Sequence, residues 1–212
     1  NRIRATDKVN PYSQYYKPGD TYCNEIPSAD AFIGHMRYIF KVHSFKRATN
    51  GKHRYLNDVE NKWYDYEVLY GYLTSIFKWI ELHNHINQTI KPQFTRKVDS
   101  VKNKEKDLLR SYVLGEIDKD EFKAKIIMND NILEKNNAII YIIDFYMQVL
   151  KDNILSIINK VTTREEYKNR MTEIKNDIAK IITYCNNELD KIRKNYNMKV
   201  IKLNPKTGEI TK

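Results

Sequence analysis

The run AIIYIIDFYMQVLKDNILSII, residues 138–158, constrains this chain more than any other stretch, because it cannot face water. Its large apolar residues recur at helical spacing (Ile139, Ile143, Tyr146, Leu150, Ile154, Ile157), and a second set (Ala138, Ile142, Phe145, Val149) falls about one residue round the same helix. A helix apolar over that much of its circumference must be wrapped by other elements. Each fully buried large side chain contributes roughly 1.5–3 kcal/mol, so leaving it bare would cost more than a domain's usual net stability. The covering elements read as helices too, since only 6 Gly and 5 Pro in 212 residues leave long stretches without a breaker. The expected fold is all-α: an elongated bundle of about five helices, the C-terminal ones long, with an extended N-terminal arm and a short C-terminal β-hairpin.

Residues 1–28 hold no helical period. Pro11, Pro18, Gly19 and Pro27 alternate with Tyr12, Tyr15, Tyr16 and Tyr22, which suits an arm laid on a surface, its own or a neighbour's. A helical pair is expected over 29–96. Its first helix starts at Ser28, an N-cap, and fades through Arg47 to Gly51; its second runs from about Asn57 to Ile90. Pro92 marks a linker over 91–97. Helices then fill 97–197: one from about Ser100 to Leu114, with Val101, Leu108, Leu109, Tyr112 and Val113 as its apolar positions, the central helix, with a break weighed near 128–131, and a last helix of heptad pattern. Asp118 with Glu121 and Thr163 with Glu166 read as capping boxes, and Ile117 with Phe122 as a hydrophobic staple. Residues 198–212 alternate around Pro205 and Gly208, a hairpin signature, and a lone hairpin needs a surface to pack on.

Charge and aromatics supply the candidate contact residues. Lys and Arg number 37 against 27 Asp and Glu. No acid lies between Asp30 and Asp58, where Arg37, Lys41, Lys46, Arg47, Lys52 and Arg54 gather among Tyr38, Phe45 and Tyr55, a pattern suited to phosphates and stacked bases. The other reading of that segment is a solvated face. Between Trp63 and Trp79 the aromatics are too many for one stripe, so Trp63, Tyr64, Tyr72 and Trp79 join Tyr12, Tyr15, Tyr16 and Tyr22 as candidate protein-interface residues.

Chemistry-bearing motifs are not found. His83 and His85, two apart, point about 200° away from each other on a helix and cannot chelate one ion, and the acids of residues 114–122 lack the spacing of a calcium loop. Asp144, the one charge in the central run, reads as a paired or partly exposed carboxylate. No phosphate loop, nucleophile elbow or dinucleotide fingerprint occurs, so no catalytic residue, metal, cofactor or small-molecule ligand is predicted. The longest apolar run stops at Asp144, short of the roughly 20 residues a membrane span needs. Cys23 and Cys185 make no disulfide framework, which suits an intracellular, reducing compartment or the inside of an assembled particle.

The first reading is therefore a non-enzymatic helical assembly subunit acting through protein partners or self-association. The arm-and-hairpin layout and the AT-rich residue usage extend it to a large virus- or phage-like particle. Nucleic-acid binding by the basic 37–54 segment is the alternative, and an enzyme with an unrecognised site the second alternative.

Overall fold

The computed structural model describes residues 25–26, 42–47, 53–57, 62–65, 67–161 and 163–211, with the backbone alone for residues 42–74 and Arg164. Three short strands come first: β1 (Val42–Arg47), β2 (His53–Asn57) and β3 (Lys62–Asp65), an antiparallel sheet in the order β1-β2-β3. They correct two expectations, since the first helix does not extend through residue 47 and the second does not begin at residue 57. Val42, Phe45, Tyr55, Trp63 and Tyr64 are residue types that fit a pleated ladder, and the sequence joining β1 to β2 contains Asn50-Gly51, the pair tight hairpin turns favour. The rest of the expected first helix, and all of the N-terminal arm save Glu25 and Ile26, lie outside the described residues.

The remainder is mostly helical. Helix α1 (Glu67–His85) continues through a π-helical turn (Ile86–Ile90) into α2 (Lys91–Val113), so the segment expected as a linker at 91–97 is helix. The cause is Pro92. It has no N–H and its ring crowds the carbonyl four residues back, and the preceding turn is widened, with the Lys91 N–H donating to Ile86 O. Pro92 itself sits in the first turn of α2, where no N–H is needed. Gly115 ends this run in the left-handed region (φ 75°), with Glu116 N–H donating to Ser111 O at 2.9 Å and Gly115 N–H to Tyr112 O at 3.1 Å, the closing pattern that satisfies the last carbonyls.

Helix α3 (Lys119–Lys160) runs unbroken through residues 128–131. Asp118 caps it, its Oδ1 accepting from the N–H of Asp120 and Glu121 at 2.9 and 2.8 Å. Glu121 pairs its carboxylate with Lys125 at 2.6 Å, and Phe122 stacks on Tyr112 with centroids 4.7 Å apart. Helix α4 (Arg164–Asn195) opens with the capping box read from the sequence: the Glu166 N–H donates to Thr163 Oγ1 and the Thr163 N–H to Glu166 Oε2, each at 3.2 Å. Asn197 ends it at φ 48°, with the Met198 N–H donating to Arg193 O at 2.9 Å.

The chain divides into two compact units, one of residues up to Glu81 with Val149–Ala179, the other of Leu82–Gln148 with Lys180–Lys212. In the first, Ile76 and Ile80 of α1, Leu150, Ile154, Ile157 and Ile158 of α3, and Tyr167, Met171, Ile174 and Ile178 of α4 are buried. In the second, Ile86, Ile90, Phe94, Val98 and Val101 are buried together with Ile139, Ile142, Ile143 and Tyr146 of α3 and Cys185, Leu189 and Ile192 of α4. All six residues of the leading stripe of the 138–158 run are buried, as its width demanded. Asp144 is half exposed and paired with Lys91 at 2.6 Å. Among the described residues, no helix is long and apolar enough to cross a membrane.

In the second unit, strands β4 (Lys202–Leu203) and β5 (Ile210–Thr211) form the expected C-terminal hairpin. It is folded onto its own chain rather than held out. Ile201 and Leu203 are buried, and the Leu203 N–H donates to Asn186 Oδ1 at 2.9 Å. Gly208 lies against Ile86 and Leu82, and Tyr146 Oη donates to Pro205 O at 3.4 Å. The surface that a lone hairpin needs is here its own unit, where Ile201 and Leu203 find their cover.

Candidate interaction surfaces

Two surfaces of the second unit stand out, and the first is the end of the α2–α3 hairpin. Leu109, Tyr112 and Val113 repeat at i, i+3 and i+4 on the last turns of α2, so they share one face, and Leu114 follows at its cap. All four are exposed, Val113 by 74%. Across the turn, Ile127 and Met128 of α3 are exposed by 62% and 65%. Of the five apolar positions read on that helix from the sequence, Val101 is buried, Leu108 half-buried and Leu109, Tyr112 and Val113 exposed. The Gly115 closure, the Asp118 cap and the Tyr112–Phe122 stack hold this end in one geometry. Elsewhere in the unit Tyr141 is exposed by 71%, and the exposed Tyr184 packs a tilted ring on Phe145 at 5.3 Å, beside the Lys191–Glu188 ion pair.

The second surface is a cleft of about 600 Å³ bounded by α2, α3 and the segment that follows α4. Phe94, Lys97, Val101 and Lys104 face it from α2, and Ile132, Lys135, Asn136 and Ile139 from α3, each set at the i, i+3, i+4 spacing of one helix face. The third wall is Met198, Lys199 and Ile201, delivered there by the left-handed turn at Asn197. The floor is apolar and buried, with the Asn136 amide set into it, its Nδ2 donating to Ile132 O at 2.7 Å. Five cations line the cleft, Arg96, Lys97, Lys104, Lys135 and Lys199, and no carboxylate does. Sequence reasoning missed this constellation. Residues 97–160 hold eleven Lys and Arg against eleven Asp and Glu, and a linear count hides which helix face each occupies.

The residues named from the sequence are only partly placed. Tyr12, Tyr15, Tyr16, Tyr22, Arg37, Lys41 and Lys52 lie outside the described residues. Lys46, Arg47 and Arg54 are on strands, where the register sets Lys46 opposite Arg54 and Arg54 opposite Asp65. The neighbouring row is Phe45, Tyr55 and Tyr64, and Trp63 is opposite Leu56. Tyr72 is on α1, and Trp79, further along it, is half-buried. Cys185 is a buried free thiol, and burial pushes it up to about 11. Comparison of the chain with protein-family models, with curated proteins and with solved structures gives no match.

Proposed function

We propose that this chain is a non-enzymatic helical subunit that works through protein–protein contact, with the end of the α2–α3 hairpin as its contact surface. The observation that carries the reading is the set of large apolar side chains left exposed there, Leu109, Val113, Leu114, Ile127 and Met128, on helix ends that are well capped. Leu109, Val113 and Leu114 lie within two turns of one another at the end of α2, and clustered exposed apolar surface marks an interaction site more often than scattered residues do. Rigid presentation lowers the entropic cost of docking, and a methionine adapts to the surface it meets. The exposed Tyr141 and Tyr184 support the same reading. Incorporation in a large virus- or phage-like particle is its finer form, and the free thiol of Cys185 suits the reducing compartment we assign to it.

The test is the mass of the full chain by light scattering, with capture of partners from its source. The double variant Val113→Asp, Met128→Asp changes exposed positions, so stability should stay within about 0.5–1 kcal/mol of the parent, while association weakens at least tenfold. A strictly monomeric chain that captures no partner through this end overturns the reading.

A second reading rests on the sheet. By the two-residue period of a strand, Arg47 falls on the face of the aromatic row Phe45, Tyr55 and Tyr64, the one row that joins a cation to stacking rings as single-stranded nucleic acid requires, while Lys46 and Arg54 fall on the other face in a row that Asp65 completes with the opposite charge. Binding that falls steeply with salt and disappears on neutralising Arg37, Lys41, Lys46, Arg47, Lys52 and Arg54 would establish it.

A further inference from the structure

We propose that the cleft between α2, α3 and residues 198–201 binds a single-chain amphiphilic anion, its aliphatic body on the apolar floor and its carboxylate or phosphate among the rim cations. This is independent of the hairpin-end contact.

Charge is the first ground. The chain from 97 to 160 is neutral overall, yet the charged residues it sends to the cleft, Lys97, Lys104 and Lys135, are all cations, and Arg96 and Lys199 join them from either side. Three acids of the same unit are engaged elsewhere: Asp144 with Lys91, Glu121 with Lys125, and Glu134 accepting from Tyr196 Oη at 3.0 Å. Arg96, Lys104, Lys135 and Lys199 make no ion pair among the described residues. Like charges gathered over low-dielectric walls raise the local potential, and a bound anion relieves their repulsion.

The floor decides what kind of anion. Phe94, Val101, Ile139 and Ile201 are all buried and present aliphatic or ring-edge surface at the base of the cleft. A nucleotide would want a free aromatic face. Phe94 is the only aromatic in the lining, and Lys97 Nζ lies over its ring at 5.4 Å, so that face is occupied by a cation. A volume of about 600 Å³ walled on three sides is in the range of small-molecule sites. An apolar tail would displace water from the floor and supply most of the affinity, while the exposed cations, each weak alone, would select for the acid.

The experiment titrates the full chain, by calorimetry below the micellar concentration, with oleate and with oleoyl lysophosphatidate, using oleyl alcohol as the neutral comparator of the same chain length. One anion per chain is expected, with oleyl alcohol binding at least tenfold more weakly, and the two anions rank the carboxylate against the phosphate. The triple variant Lys104→Gln, Lys135→Gln, Lys199→Gln should weaken anion binding about tenfold at an unchanged melting temperature. Ser100→Trp, at an exposed lining position, should block the floor and abolish binding of all three. The proposal is overturned if oleyl alcohol binds as tightly as oleate, if Ser100→Trp leaves binding intact, or if poly-L-glutamate binds with the same lysine dependence while neither lipid does. The last result would mark an open polyanion surface.

Discussion

Gly208 shows how much can hang on one residue. Its φ of 69° is a conformation that side-chain-bearing residues rarely adopt, and a Cβ built there would overlap Cγ1 and Cδ1 of Ile86 in the π-helical turn. The Gly208 N–H also closes the turn onto Asn204 O at 2.8 Å, while Asn204 Oδ1 accepts from the Lys206 N–H at 2.9 Å. Gly208→Ala should therefore cost about 1–3 kcal/mol, through backbone strain and overpacking together. The readouts are a lower melting temperature and faster tryptic cleavage at Lys199, Lys202 and Lys206. Cleavage at the parent rate would mean that this turn is not what holds the hairpin down. The sequence announced a turn at this glycine; that its missing side chain makes room for Ile86 is a tertiary fact no local pattern carries.

Elements with a strong period and a written cap were legible. The leading stripe of α3 is buried as spaced, and so are Tyr167, Met171, Ile174, Ile178, Cys185, Leu189 and Ile192 of the α4 pattern, while Ile181 and Tyr196 are half-buried. Thr163 closes its capping box as read, and Thr163→Ala should cost about 1 kcal/mol, checked by chemical denaturation with an unchanged slope. What escaped was decided by competition between local preferences. In β1–β3, residues that also fit a helical period went to strands, where aromatic pairing and the Asn-Gly connection favour a ladder. Pro92 was read as a break because proline removes an N–H; the chain kept its helix by widening the turn before it. On α2, apolar spacing identified a face but not its cover, and Leu109, Tyr112 and Val113 lie beyond what covers Val98 and Val101. The cleft was illegible for the same reason, since its three walls lie far apart in sequence.

At the scale of the molecule, two buried acids are expected to weaken the second unit at high pH. Burial raises the Tyr146 phenol from 10.0 to about 12, with the charge of Cys185 adding to it, and the Cys185 thiol from 9.0 to about 11, with the charge of Glu188 adding to it. The folded state thus holds these protons more tightly than the unfolded chain does. Their contribution to stability is complete below about pH 9 and is lost as pH climbs toward 12. Melting temperatures should be level from pH 7 to 9 and fall above it, by about 2–4 °C for each kcal/mol lost. Cys185→Ala should delay the onset toward pH 10, where only the phenol remains; an onset unmoved by that change would assign the limit to other groups.

The third wall of the cleft has a temporal consequence. Lys199 follows Lys135 by 64 positions, so on a ribosome adding roughly 5–20 residues per second the two helical walls emerge about 3–13 s before the strap that closes them. During that interval the nascent chain holds only an open furrow, so the pocket is among the last parts of the second unit to be completed.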